Sequence, residues 1–121
     1  MKKKRFGIVI QVKNLTSCKA FYRDVLELGD PVMDSNFRVV FQIGESFRLT
    51  LEKSPWDAEL PAASERISWL CSENAQILCR RMKDYGYPIP DVSGTAEKNG
   101  WLYCRFTDPE GNPFYASTEK I

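Results

Sequence analysis

No histidine occurs among the 121 residues, so neither a Ser-His-Asp nor a Cys-His nucleophilic arrangement can be assembled from this chain. Tyrosines, cysteines and carboxylates remain as groups able to move protons, and a tyrosine or cysteine would need a shifted pKa to do so near neutral pH. Cys18, Cys71, Cys79 and Cys104 are widely scattered. No pair has the spacing of a zinc knuckle or a CxxC redox motif, and reduced cysteines serving as small apolar residues are expected. Asp108 and Glu110 flank Pro109 within DPEGN, where turn formation explains them better than acid–base catalysis does. Gly29, Gly86 and Gly111 read as two helix stops and a turn rather than a phosphate-binding loop.

The composition narrows the partners. Seventeen basic and sixteen acidic residues leave a net charge of +1, too small a field to draw in nucleic acid or an anionic membrane. The block Lys2, Lys3, Lys4, Arg5 reads as a solvated tail before the first strand. No stretch approaches the ~20 apolar residues of a membrane helix, and no secretory signal pattern is seen, so a soluble cytoplasmic protein is expected. The length suits one domain, residues 1–121.

The elements that must position the candidate groups fall into two similar halves. FGIVIQV (6–12) reads as a strand, and Asn14 caps a helix whose Leu15, Cys18, Phe21, Tyr22, Val25 and Leu26 recur at helical spacing up to a stop at Gly29. A short strand at 31–33 and the pair RVVFQI and FRLTLE, joined at Gly44-Glu45-Ser46, complete a βαβββ module over 5–53. A connector at 54–64 follows. The second module, 65–119, opens with RISWLC and a helix from Asn74 to Tyr85 stopped by Gly86. A weak strand near Ile89, then WLYCRF and PFYAST around the DPEGN turn, complete it. The predicted class is therefore α+β, built by internal duplication.

The segments VIQVKNLTSCKAFYRDVLELG and FTDPEGNPFY, in this order and framing paired βαβββ units, resemble the vicinal oxygen chelate superfamily. Its members include glyoxalase I, bleomycin and fosfomycin resistance proteins and extradiol dioxygenases. The resemblance spans nearly the whole chain. It implies a cupped mixed sheet around a cavity, helices outside, and a homodimer. In metal-dependent members four inward strand residues, mostly His, Glu and Gln, bind a divalent cation. Those positions correspond here to Gly7, Thr50, Ile67 and Tyr115, none of them a good ligand. Glu52 is a weak fallback, with Cys71 beside it as a still weaker one. The resemblance thus points to a member with no metal and no cofactor.

Side chains alternate across a strand, so the faces bearing those four positions predict the remaining cavity lining. Val9 and Gln11 join Gly7; Arg48 and Glu52 join Thr50; Trp69 and Cys71 join Ile67. Trp101, Tyr103 and Arg105 are expected inward on their strand, with Leu102, Cys104 and Phe106 packing on the helix, and Tyr115 and Ser117 complete the lining. The candidate ligand-binding set is Gln11, Arg48, Thr50, Trp69, Trp101, Tyr103, Arg105 and Tyr115. Aromatic walls with a few polar groups suit a planar organic ligand, and an arginine could hold its carboxylate or phosphate. The same aromatics could instead fill a closed core or a dimer contact. Three functions stay open: metal-free binding of a small molecule, as in the bleomycin resistance branch; a lyase, isomerase or dioxygenase with non-standard metal ligands such as Glu52; and a non-catalytic dimeric scaffold.

Overall fold

The computed structural model describes residues 6–54, 68–89, 96–98 and 101–119, the side chains of 96–98, 101–103 and 118–119 excepted. The chain divides into two units, Met1–Ala62 and Ala63–Ile121, each with its own four-stranded sheet.

In the first unit β1 (Phe6–Val12) leads to helix α1 (Leu15–Ala20), which continues as a π-helical turn over Phe21–Val25. Asn14 caps it: its Oδ1 accepts from the Ser17 amide at 3.1 Å, satisfying one of the donors orphaned at a helix start. The sequence predicts a stop at Gly29, but the helix ends earlier. The Leu26 amide donates to the Phe21 carbonyl, and Glu27 takes a left-handed φ of 55°, a conformation costly for a residue with a side chain. Three strands follow, β2 (Met33–Asp34), β3 (Arg38–Ile43) and β4 (Phe47–Lys53). Their order is β1-β4-β3-β2, with β1 parallel to β4 and the others antiparallel. The short strand sits two residues later than expected because Pro31 has no amide to donate to a ladder.

Ile10, Val12, Val39, Phe41, Leu49 and Leu51 are buried on one face of this sheet, as are Cys18, Phe21, Tyr22 and Val25 of the helix. Tyr22 meets Phe41 with ring centroids 6.3 Å apart. At about 1.5–3 kcal/mol for each large apolar side chain removed from water, this layer is the unit's main source of stability.

The second unit contains β5 (Trp69–Cys71), α2 (Ala75–Asp84), β6 (Ala96–Lys98), β7 (Trp101–Thr107) and β8 (Pro113–Glu119). Its order is β5-β8-β7-β6, so the βαβββ pattern repeats. Asn74 caps α2 by accepting from Gln76 and Ile77. Residues 66 and 67, expected to open β5, lie outside the described residues. The strand expected near Ile89 lies instead at 96–98: Ile89 stands between Pro88 and Pro90, which supply no amide and restrict the residue before them. The packed layer joins Leu78, Cys79 and Met82 of the helix with Cys104, Phe106, Phe114 and Ala116 of the sheet. The Asp108 carboxylate organises the DPEGN turn. Its Oδ1 accepts from the Glu110 and Asn112 amides and its Oδ2 from Asn112 Nδ2, all at 2.9 Å.

Candidate functional site

In-register partners on neighbouring strands share a sheet face, so the ladders place the side chains directly. On the first sheet, the face opposite the helix carries three rows across β1, β4 and β3: Gly7–Arg48–Gln42, Val9–Thr50–Val40 and Gln11–Glu52–Arg38. Gln11, Arg48 and Thr50 thus stand on one face, with Val9 exposed between them.

The two outer rows differ in charge. In one, Arg38 Nη2 donates to Glu52 Oε2 at 2.9 Å, an ion pair that neutralises both groups. In the other, Arg48 Nε donates at 2.8 Å to the Oε1 of Gln42, and Gln42 Nε2 donates to the Gly44 carbonyl. A neutral amide therefore orients Arg48 without cancelling its charge. Among the described residues the terminal nitrogens of the Arg48 fork have no partner. A planar guanidinium held by one edge can present its other donors to a carboxylate or phosphate. Gln42 is absent from the expected lining, which draws on β1 and β4 but not on β3; the Gly44-Glu45-Ser46 turn, which puts Gln42 opposite Arg48, is the available signal.

The second sheet corrects part of the expected lining. Trp69 pairs with Phe114 and Cys71 with Ala116 along β5–β8, and Phe106 and Cys104 are their partners on β7. These rows lie on the buried, helix-packed face. Trp69 stacks on Phe114 (4.8 Å, 11° between planes), and Phe114 stacks on Phe106 (5.5 Å, 17°). Trp69, half-buried, thus packs on the rings of the helix-side face, and Cys71 shares that face. Along the described part of β5 the alternation puts Trp69 and Cys71 on the helix side and Leu70 on the other. The face opposite the helix instead holds the row Leu70–Tyr115–Arg105 and Ser117. Leu70 is 58 % exposed and was not foreseen. Register pairs Tyr103 with Ser117 and Trp101 with Glu119; the side chains of Trp101 and Tyr103 lie outside the described residues.

The residues at the four positions that the sequence resemblance aligns with metal ligands do not fit a divalent cation. At Gly7 a Cβ would overlap the carbonyl oxygen of Arg48, so the backbone leaves no room there for any ligating side chain. Thr50 and Tyr115 offer only hydroxyls, weak donors to a divalent ion, and Ile67 offers none. Glu52 is held by Arg38. Burial, reinforced by Glu73, pushes the Cys71 thiol up to about 11, away from the thiolate that a metal needs. Among the described residues no three His, Cys, Asp or Glu side chains are gathered where they could hold an ion.

No family model and no curated protein matches the sequence. Solved structures do match. Lactoylglutathione lyase from Agrobacterium tumefaciens is 21 % identical, with 98 % of this chain and 95 % of that one covered and a TM-score of 0.68. A Bacillus halodurans protein described as a glyoxalase is 13 % identical, with 93 % and 92 % covered and a TM-score of 0.74. A glyoxalase/bleomycin resistance protein from Catenulispora acidiphila is 15 % identical, with 98 % and 99 % covered and a TM-score of 0.63. At these identities the likeness is one of fold.

Proposed function

We propose that this chain, which has the glyoxalase/bleomycin resistance fold of the vicinal oxygen chelate superfamily, binds a small planar organic acid without a metal ion. The carrying observation is the Arg48–Gln42 pair, a half-buried cation oriented by a neutral partner on the sheet face opposite the helix. Arg48 takes the ligand's carboxylate or phosphate, Thr50 and Gln11 supply further hydrogen bonds, and Val9 lies against the ligand's apolar surface. The second unit's own sheet carries a separate polar and aromatic pair, Arg105 and Tyr115, on the face opposite its helix. The lyase activity named for the Agrobacterium protein does not transfer, since its chemistry in this superfamily is expected to need metal ligands that these positions lack. A homodimer in the cytoplasm, meeting a small-molecule ligand and no nucleic acid, completes the reading.

Calorimetric titration of the chelator-treated protein with a panel of aromatic mono- and dicarboxylates tests it. Saturable binding that Arg48→Met abolishes and Arg48→Lys does not restore supports the proposal. Binding only after addition of a divalent cation, or binding indifferent to Arg48, overturns it.

A further inference from the structure

A recess of about 790 Å³ lies on the helix side of the first sheet, where the start of α1 meets the β2–β3 connection and the end of β4. Its size is within the range of pockets that enclose small organic ligands. A smaller hollow of about 400 Å³ lies at the same end of the sheet, against Arg38 and Glu52 of the opposite face. Phe37 lines both and so stands between them.

The backbone of Phe37 is pinned on both sides. Its amide donates to Ser35 Oγ at 3.3 Å, and its carbonyl accepts from the Lys53 amide at 2.8 Å. Ser35 Oγ donates in turn to the Arg38 carbonyl at 3.1 Å. The residue is nevertheless 73 % exposed. A large apolar side chain fixed outside the core is a preorganised platform for another apolar surface.

An ion pair flanks the platform in each hollow. Lys19 Nζ donates to Asp34 Oδ2 in the larger, and Arg38 Nη2 to Glu52 Oε2 in the smaller, both at 2.9 Å. Each carboxylate spends one oxygen on its cation. Among the described residues Asp34 Oδ1 and Glu52 Oε1 accept no hydrogen bond, and the side chains of Asn36 and Thr16, which line the larger recess, make none. Donors and acceptors are thus interleaved around the ring. A phosphate or carboxylate would meet the open oxygens of Asp34 and Glu52, and a cation would meet Lys19 and Arg38. A hydroxyl, which both donates and accepts, satisfies groups of either kind. A hexopyranose carries several hydroxyls, and its C–H face, apolar and slightly positive, matches the negative face of an aromatic ring.

We propose that this end of the sheet binds a neutral saccharide of one or two hexose units, its C–H face on Phe37 and its hydroxyls on Asp34, Asn36 and Glu52. The charged residues act here as hydrogen-bonding groups, so binding does not depend on salt. The site does not use Arg48 and stands independently of the function proposed above.

Calorimetric titration of the full chain with glucose, galactose, N-acetylglucosamine, maltose and cellobiose, and with glucose 6-phosphate, at low and high salt tests the proposal. Expected is saturable binding of at least one neutral sugar, equal at both salt concentrations and unchanged in Arg48→Met. Phe37→Ala should weaken it about tenfold, Phe37→Trp should keep it within about threefold, and Asn36→Ala should weaken it several-fold. Phe37 and Asn36 are both exposed, and thermal unfolding verifies that the variants fold. No saturable binding by any neutral sugar overturns the proposal, as does binding indifferent to Phe37→Ala. Glucose 6-phosphate bound more tightly than glucose in a salt-dependent way overturns it in favour of an anion site. Self-association in sedimentation that Phe37→Ala abolishes, with no sugar bound, overturns it in favour of a contact between copies of this chain.

Discussion

Gly7 faces Arg48 across the parallel β1–β4 pair so closely that a methyl group on residue 7 would overlap the Arg48 carbonyl oxygen. Backbone cannot yield as the end of a flexible side chain can, so the strands must separate to admit any side chain. Gly7→Ala is expected to cost about 1–3 kcal/mol in urea unfolding. Gly7→His should destabilise at least as much and recruit no metal in elemental analysis. A fully stable Gly7→His that retains stoichiometric zinc would show that this position can serve as a ligand after all.

The Arg48–Gln42 bond predicts a separation of binding from stability. Both side chains are only part-buried, so Gln42→Ala should change stability by less than about 1 kcal/mol. It should weaken an acidic ligand several-fold by freeing the guanidinium to rotate, while Gln42→Glu should weaken it more by neutralising Arg48. Titrating both variants against one aromatic carboxylate checks the order; equal affinities would sink it.

The stack Trp69–Phe114–Phe106 is expected to be structural. Phe114→Ala should cost about 3–5 kcal/mol and alter tryptophan fluorescence, because Trp69 loses the ring 4.8 Å away. Trp69→Phe should be tolerated within about 1.5 kcal/mol and leave ligand affinity unchanged. A large loss of affinity in a stable Trp69→Phe would return Trp69 to the ligand.

Burial raises the Cys71 thiol to about 11. Because the folded state holds this proton more tightly than the unfolded chain, Cys71 contributes no pH dependence below its ordinary range near 9. Stability then falls as pH rises from there towards 11. Urea unfolding of wild type and Cys71→Ala across this range should show a steeper decline in wild type. Alkylation of Cys71 followed by mass spectrometry should be slow at neutral pH.

Asp108 is 4 % exposed and accepts three hydrogen bonds in its turn. Asp108→Ala leaves those donors without their acceptor and should cost about 2–4 kcal/mol, while Asp108→Asn, which keeps one acceptor oxygen, should cost less. Chemical denaturation distinguishes them, and a neutral Asp108→Ala would refute the structural role.

The sequence by itself determined the duplicated βαβββ frame, the Asn14 cap, the helix opening at Asn74 and the strand pairs at 38–53 and 101–119. These depend on local periodicity, on capping chemistry and on turns such as Gly44-Glu45-Ser46 and DPEGN. It also determined that no histidine chemistry is available. Tertiary structure decided what rests on register between distant strands. A one-residue change in counting moves a side chain to the opposite face, and pairing with Phe114 put Trp69 on the helix side while Leu70 took its place beside Tyr115. Position 89 lost its strand to prolines on both sides. Gln42 became the orienter of Arg48, and Lys13, Lys19 and Lys53 came to line one recess, through contacts between elements that no local pattern encodes.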